Sequence, residues 1–268
     1  MILNPRAIKY LFEFLSYRIR RPHRKGHGVH SPFQFDFINQ VLHKKISKNQ
    51  DIVKIEGLRR NLLKDNTIIE VEDFGAGSLR ISGKYRKISQ VTRNSSTSPK
   101  YGRLLFNLVN HYKPDVIIEL GCCLGFGTMY MAMANKNGKV YTVDGSQELI
   151  KKALQNFERL QFSNIFPTHG IFDNVLPSIL KENGKFDLAF VDGNHRKDAM
   201  LSYFNLLLPY AHSGSIIVFD DIRWSEEMEL GWQEIKDNPD IKLSLDLFQM
   251  GIVFFNEKLN KQHFELFY

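Results

Sequence analysis

The fold is decided by the stretch Val116-Ile-Ile-Glu119-Leu-Gly121-Cys-Cys-Leu-Gly125-Phe-Gly127. In this stretch an apolar run breaks into glycines, and a pattern of helical periodicity follows. This order is typical of a parallel strand that turns tightly onto the N-terminus of a helix. Because glycine has no Cβ and adopts positive φ, the backbone N–H groups of such a turn can approach a ligand closely. The stretch therefore predicts a ligand-binding turn at the carboxyl end of a strand.

A second strand-like run ends in an acid. The apolar run 140–143 is followed by Asp144, which lies twenty-three residues after Gly121. An acid at this distance, on the tip of the neighbouring strand, can accept hydrogen bonds from both ribose hydroxyls of a bound nucleoside. Asp144 is thus the predicted ribose-binding residue.

Apolar runs and helical patterns alternate from Lys113 onward. Such alternation predicts an α/β fold with a mostly parallel sheet and helices on both of its faces. The last two runs, 241–248 and 252–255, flank Gln249-Met-Gly251 and predict a β-hairpin. The other predicted strands are 115–120, 139–143, 164–167, 186–191 and 215–219, and the predicted helices are 126–135, 147–160, 173–181, 197–209 and 224–236.

The spacing of the glycines separates two kinds of nucleotide-binding turn. A dinucleotide fingerprint has the form G-x-G-x-x-G, whereas Glu119, Gly121 and Gly125 give the form E-x-G-x-x-x-G. This form resembles motif I of the class I S-adenosylmethionine (SAM)-dependent methyltransferases. The resemblance covers roughly residues 98–268 and implies a Rossmann-like fold, with a seven-stranded sheet whose last strand is antiparallel. We therefore expect a mainly helical, basic N-terminal extension at 1–97 and a SAM-binding methyltransferase domain at 98–268.

The resemblance also implies a set of cofactor-binding residues. The glycine turn would line the methionine and ribose portions of SAM, the end of the second strand would hold the ribose, and the turn after the third strand would pack around the adenine. The residues that this implies are Glu119, Gly121, Cys123, Gly125, Asp144, Gly145, Gly170, Ile171, Phe172 and Asp192.

Acidic residues follow the next two strands. Asp192 comes directly after the run 186–191, and Asp220 and Asp221 come directly after 215–219. Ligands bind at the carboxyl ends of strands in open α/β sheets, so we expect these three side chains to lie close together. Three converging carboxylates repel one another unless a proton or a cation is bound, and Mg²⁺ prefers such oxygen ligands. Helix capping and loop hydrogen bonds are the alternative role for these acids.

This arrangement is similar to that of the metal-dependent, catechol O-methyltransferase-like branch of the family. The resemblance implies Mg²⁺ as a second cofactor, with Asp192, Asp220 and Asp221 as its ligands. It places His195 where the branch has a lysine general base. Histidine has an ordinary pKa near 6.5 and can take a hydroxyl proton at neutral pH. His195 and Asp192 are therefore the candidate catalytic residues.

Composition and charge limit the partners. The 268 residues are 43% hydrophobic and 24% charged, as in ordinary globular proteins, and no apolar run is long enough to span a bilayer. The two cysteines, Cys122 and Cys123, are adjacent, which suits a reducing compartment. Because no secretory signal is recognised either, we expect a cytoplasmic protein.

The positive charge is concentrated in the N-terminal part of the chain. Residues 1–110 contain 21 basic and eight acidic residues, which indicates either an anionic partner or a solvated basic surface.

The N-terminal region contains further patterns. Helices are predicted at 8–19, from Pro32 to about 45, at 51–64, and from Pro99 after the Ser98 N-cap. A basic stretch at 20–25 and a Gly- and His-containing loop at 26–33 lie between the first two helices, and we expect this loop to cover the mouth of the active site. The histidines 23, 27 and 30 match no metal-site spacing. A second glycine cluster, 73–78, lacks a following helix and acid and is a structural or substrate-facing loop.

These observations favour O-methylation of a small-molecule acceptor. A nucleic-acid methyltransferase is one alternative, which the basic N-terminal half favours, although no RNA-binding module or base-methylation motif is present. A non-catalytic SAM-binding module is a second alternative, and a membrane-surface protein that uses its amphipathic first helix is a third. The sequence leaves the acceptor unidentified and leaves open whether the chain forms a homodimer.

Overall fold

The computed structural model describes residues 14–17, 32–46, 49–72 and 83–268. Most of the predicted first helix, the basic stretch 20–25, most of the loop 26–33 and the second glycine cluster lie outside the described residues. Residues 14–17 are helical, as the periodicity of the first helix predicts.

Short helices and one hairpin precede the main sheet. Asn49 caps the second helix because its side chain accepts the amides of Asp51 and Ile52, and Ser98 caps the helix that begins at Pro99 by accepting the amide of Tyr101. The elements are α1 (Pro32–Phe37, continuing as a π-helical turn, Ile38–Leu42), α2 (Gln50–Leu62), β1 (Ile68–Glu70), β2 (Tyr85–Lys87), α3 (Ile88–Asn94) and α4 (Pro99–Tyr112). Strands β1 and β2 pair antiparallel.

Eight strands form the main sheet, in the order β10-β8-β9-β7-β6-β3-β4-β5. Strand β9 is antiparallel to both of its neighbours, and every other pair in the sheet is parallel. The strands are β3 (Val116–Leu120), β4 (Lys139–Asp144), β5 (Ile165–His169), β6 (Leu188–Val191), β7 (Ile216–Phe219), β8 (Leu243–Asp246), β9 (Gly251–Phe254) and β10 (Gln262–Glu265).

Helices alternate with the strands and cover both faces, as the sequence predicts. They are α5 (Phe126–Ala134), α6 (Gln147–Arg159), α7 (Phe172–Asn183), α8 (Lys197–Leu207, continuing as a 3₁₀ turn, Leu208–Tyr210) and α9 (Glu226–Asp237). Two apolar clusters result. One contains side chains of α4, α5 and α6 together with α1 to α3, and the other contains side chains of α7, α8 and α9.

Three details differ from the sequence-based expectation. The sheet has an eighth strand, β10, which pairs with β8 at the edge. Its sequence, Gln262-His-Phe-Glu265, is short and mostly polar, so it lacks the apolar run by which a strand is recognised. The helix from Pro32 ends at Leu42 instead of near residue 45. The region before residue 98 also contains the β1–β2 hairpin in addition to its helices.

None of the helices in the described ranges is both long enough and apolar enough to cross a membrane.

Candidate active site

The glycine turn connects β3 to α5. Gly121 has a φ of +106° and Gly125 a φ of +80°, which L-residues rarely adopt. The amides of Gly121 and Cys122 both donate to the carbonyl of Val143 on β4. A Cβ on Gly125 would lie 2.3 Å from the ring of Phe157, so both positive φ and close packing require glycine here. The turn is thus tied to β4 and to α6.

Asp144 ends β4 directly beside this turn. Its Oδ2 accepts the amide of Cys123 at 2.7 Å, and its Oδ1 accepts the amide of Ser146 at 2.9 Å. These bonds fix the carboxylate between the glycine turn and the start of α6. The structure therefore places Asp144 at the strand tip where the sequence puts the ribose site.

Glu119 lies beneath the turn, and 1% of its surface is exposed. Its Oε2 accepts the hydroxyls of Thr128 on α5 and Thr142 on β4. Burial raises the pKa of Glu119 to about 7, against the opposing effect of the two hydroxyl bonds. A Cβ on Gly127 would lie 2.7 Å from Oε1 of Glu119, so the carboxyl group packs against the first turn of α5.

The thiol of Cys123 completes this part of the turn. Its sulfur lies 3.6 Å from Oγ of Ser96. Burial, with a further contribution from Asp144, raises the pKa of Cys123 to about 12. The side chain is therefore a neutral thiol at physiological pH, which is the less nucleophilic form of cysteine.

The turn after β5 presents an apolar surface at the same edge of the sheet. Ile171 is 46% exposed and precedes the first residue of α7, Phe172. The Phe172 ring packs edge-on against Tyr203, and a Cβ on Gly193 would lie 2.6 Å from it. This places the predicted adenine-side residues near the loop that follows β6. Gly145 and Gly170 belong to the neighbouring turns after β4 and β5.

The three predicted acids follow β6 and β7, which are adjacent and parallel. Burial, followed by the charges of Asp220 and Asp221, raises the pKa of Asp192 well above its ordinary value. The pKa of Asp220 is raised to about 7 by burial and by Asp221, and burial raises that of Asp221 to about 6. The acids therefore share one electrostatic environment, in which the charges of Asp220 and Asp221 disfavour the ionisation of Asp192.

His195 lies at this acidic cluster. Its Nε2 is 3.7 Å from Oδ2 of Asp221, and its ring centroid is 5.5 Å from that of Trp224. The amide of Gln249, from the loop between β8 and β9, donates to Asp220 at 3.3 Å. A potential proton acceptor, three carboxylates and an aromatic surface thus meet at the carboxyl ends of β6 and β7.

A second cluster lies further along the same edge. Ligand atoms of Asp246, His263 and Glu265 all come within 4.8 Å of one another, which is the one such group of three among the described residues. However, Asp246 already forms a bidentate ion pair with Arg223, at 2.6 and 2.7 Å, and accepts the indole N–H of Trp232. With its lone pairs used in this way, Asp246 belongs to a structural ion pair.

The predicted metal ligands Asp192, Asp220 and Asp221 do not form such a group, because their carboxylate oxygens do not all lie within 4.8 Å of one another. Their donor chemistry nevertheless fits a hard divalent cation, because all three offer carboxylate oxygens. For SAM, the positive-φ glycines and the adjoining carboxylate of Asp144 fit a ligand that lies against the backbone and has ribose hydroxyls.

The sequence-based reasoning missed several residues of the site: Thr128, Thr142, Trp224 and Gln249. A signal for one of them existed. In the parallel pairing of β3 with β4, Glu119 is opposite Thr142, so a buried acid and its hydroxyl donor could have been matched by strand register. Trp224 and Gln249 come from loops, whose course the sequence pattern does not give.

Comparison with known proteins finds methyltransferases that this chain resembles. Residues 118–222 match the family model described as a methyltransferase domain. The chain is 31% identical over 130 residues to a catechol O-methyltransferase of Niastella koreensis, over 47% of this chain and 58% of that protein. It is 29% identical over 198 residues to a caffeoyl-CoA O-methyltransferase of Stellaria longipes, over 71% of this chain and 78% of that protein. An O-methyltransferase of Bacillus cereus, solved with S-adenosylhomocysteine, has the same fold, with a TM-score of 0.55 at 19% identity over 78% and 92% of the two chains.

The fold, and the similarity of residues 118–222 to a methyltransferase domain, are those expected of class I SAM-dependent methyltransferases. The relatives that the chain resembles include a catechol and a caffeoyl-CoA O-methyltransferase, so it is similar to the catechol O-methyltransferase-like branch.

Proposed function

We propose that this methyltransferase acts on a hydroxyl oxygen of a small-molecule acceptor with the help of a divalent cation. The observation that carries the proposal is the acidic cluster Asp192, Asp220 and Asp221, together with His195 at 3.7 Å from Asp221. Relatives with catechol and caffeoyl-CoA names support an oxygen on a small molecule as the acceptor.

The cofactor would lie across the tips of β3 and β4. When bound, SAM supplies a methyl group that is activated by its sulfonium. Asp144 would accept the ribose hydroxyls, and the backbone of Gly121 to Gly125 would follow the methionine portion. Ile171, which is exposed, would pack on the adenine. The contribution of the chain to the rate is then mainly positioning, because the sulfonium is already a strong methyl donor.

The acceptor would lie over the acidic cluster. Asp192, Asp220 and Asp221 would hold Mg²⁺, whose charge lowers the pKa of a nearby hydroxyl. His195 takes the hydroxyl proton at Nε2, and the Asp221 carboxylate stabilises the imidazolium that results. Trp224, packed against His195, offers an apolar surface for the body of the acceptor.

We also propose that the N-terminal region helps to select the acceptor. The hydroxyl of Tyr17 donates to the carbonyls of Asp246 and Leu266, and the Phe14 ring packs edge-on against Phe248. Phe248 immediately precedes Gln249, the residue that donates to Asp220. The segment 14–17 is thus connected to the acidic cluster through one loop. Phe14→Ala is expected to change the KM for the acceptor and to leave SAM affinity unchanged.

Methyl transfer to a panel of catechols, phenols and other hydroxyl compounds, assayed with Mg²⁺ and with chelator, tests the proposed function. Asp220→Asn should remove the Mg²⁺ dependence of turnover, and it should also remove the heat of Mg²⁺ binding measured by calorimetry. Asp240→Asn is the matched control, because Asp240 is exposed and lies in the loop between α9 and β8. This variant should keep both the Mg²⁺ dependence and the heat of Mg²⁺ binding. Full turnover in chelator would overturn the role of the cation. SAM binding without transfer to any compound of the panel would favour the binding-module alternative.

A nucleic-acid acceptor is a second candidate, favoured by the 21 basic residues among the first 110. This candidate predicts RNA binding whose affinity falls steeply with salt. Binding that is weak and independent of salt would exclude it.

A further inference from the structure

Arg59 is a buried cation on an otherwise apolar face of α2. It follows Ile52 and Ile55 and precedes Leu62 at helical spacing, a position at which a core-facing helix normally has an apolar side chain. Its exposed fraction is 6%. Arginine is almost never this deeply buried unless its charge is paired.

The charge of Arg59 is only partly satisfied. Its Nη2 donates to the carbonyl of Thr97, and its guanidinium stacks on the ring of Phe126, 3.8 Å from the centroid. Its Nε is buried and has no acceptor, and no carboxylate in the described part of the chain lies within ion-pair distance of it. Burial lowers the pKa of Arg59.

The acid on the same helix is occupied elsewhere. Glu56 accepts the hydroxyl of Tyr130 and lies 3.6 Å from Arg103. A buried guanidinium with an unused N–H and no anionic partner is an expensive arrangement unless an anion arrives from outside the chain.

The location of Arg59 shows where that anion would lie. Phe126, on which it stacks, is the first residue of α5, directly after the glycine turn. Thr97, whose carbonyl it holds, has its Oγ1 3.0 Å from the position of a Cβ on Gly127. Gly125, the N-cap of α5, has no side chain to accept the first amides of this nine-residue helix, so these amides are without a side-chain cap. Guanidinium and helix N-terminus together favour a negatively charged group.

We infer that Arg59 binds the α-carboxylate of the methionine portion of SAM. This inference rests on the proposed cofactor site at the glycine turn. The ribose end of that site is at Asp144, and Asp144 is joined to the turn through the amide of Cys123. A ligand that extends from there along the turn towards Phe126 ends at Arg59. The N–H groups on one edge of a guanidinium match two carboxylate oxygens, so Nε and a Nη group form a suitable fork.

A structural role is the competing explanation. Through Thr97, Arg59 holds the segment between α3 and α4 against α2, and loss of that bond alone would loosen the site without any direct contact to ligand. The two roles differ in one respect. Only the direct contact makes the affinity depend on whether the ligand has a carboxylate.

The test compares SAM with decarboxylated SAM, which differ in that group alone, by calorimetric titration of the full-length protein. The wild type should bind SAM at least 10-fold more tightly than the decarboxylated compound. In Arg59→Gln this ratio should fall to about 1, and Arg59→Lys, which keeps the charge without the fork, should give an intermediate ratio. Arg60→Gln, at the exposed neighbouring arginine, should keep the wild-type ratio.

Each other outcome has a definite meaning. Equal binding of both compounds by the wild type would overturn the inference even if no Arg59 variant folds. If Arg59→Gln keeps the wild-type ratio of the two affinities, or loses affinity equally for both compounds, the inference would also be overturned. Arg59 would then have the structural role. Failure of the wild type to bind either compound would instead refute the cofactor site itself. Asp144→Asn should lower the affinity for SAM and for decarboxylated SAM by the same factor.

Discussion

A Cβ on Gly121 would lie 1.9 Å from the carbonyl oxygen of Asp192, so the glycine turn and the acidic loop pack backbone against backbone. The end of β3 and the end of β6 are adjacent in the sheet, and this contact sets the spacing between them. In the proposed function, the methyl donor and the acceptor would therefore be positioned by one shared contact.

Gly121→Ala is predicted to abolish SAM binding and to destabilise the fold. The substitution forces a side chain into the Asp192 carbonyl and also places alanine at a φ of +106°. Gly83→Ala is the matched control, because Gly83 has a φ of +104° and no atom of the described residues lies within 4 Å of its added Cβ. The control shows the cost of positive φ alone, on the order of 1 to 3 kcal/mol. Thermal unfolding and SAM titration measure both variants, and equal losses in the two would contradict a steric role.

Glu119→Gln is predicted to gain stability relative to the wild type as the pH rises. Burial raises the pKa of Glu119 from 4.5 to about 7, so between these values the folded wild type holds a proton that the unfolded chain has lost. The free energy of unfolding of the wild type therefore decreases with rising pH across this window, whereas glutamine does not titrate. The difference between the two proteins should shift by on the order of 3 kcal/mol from pH 4.5 to 8. A difference in denaturant stability that is flat with pH would show that Glu119 is ionised in the fold throughout.

Asp246→Asn is predicted to destabilise the protein by about 3 to 5 kcal/mol. It leaves the largely buried guanidinium of Arg223 without its bidentate partner and weakens the bond from Trp232. Glu148→Gln removes an exposed ion pair with Lys151 of similar length, 2.6 Å, and should cost less than about 1 kcal/mol. Denaturant unfolding measures both, and similar small effects would mean that Arg223 finds another partner.

His195→Gln is predicted to lower turnover at least 100-fold while SAM affinity stays unchanged. Glutamine can hydrogen-bond to Asp221 but cannot take a proton from the acceptor. His195→Lys places at this position the residue type that the branch uses and should recover part of the rate, with its optimum at higher pH because lysine loses its proton at higher pH. Equal turnover in the wild type and in both variants would show that His195 is not the general base.

The sequence was sufficient to predict the parallel part of the sheet. The strands at 116–120 and 216–219 are almost entirely buried apolar runs, followed by a glycine and by an acid, so their type and their ends are both marked. The strand at 139–144 has an exposed first residue but ends in an acid after a buried stretch. The hairpin formed by β8 and β9 was equally visible. By contrast, β10 is polar and half exposed, and its pairing with β8 depends on tertiary contacts that no local pattern encodes.

For the site, the sequence predicted which strand ends converge, and the structure confirms the positions of Asp144, Asp192 and Asp220. Their roles in binding stay predictions. Arg59 was missed because its significance depends on which anion partners it lacks, and this is known only after α2 has been placed against α5. A cation in an apolar stripe is nevertheless a pattern that can be recognised in advance.

Side chains of α1, α2 and α3 belong to the same apolar cluster as Ile216 and Phe254 of the sheet. The minimal fragment that can be expressed in folded form should therefore extend well upstream of the 118–222 match. A truncation that begins at residue 98 would lack α1, α2 and α3 and would expose the apolar side chains that they cover, so we expect it to aggregate. Boundaries for recombinant expression are therefore better chosen from buried contacts than from the residues that the family model matches.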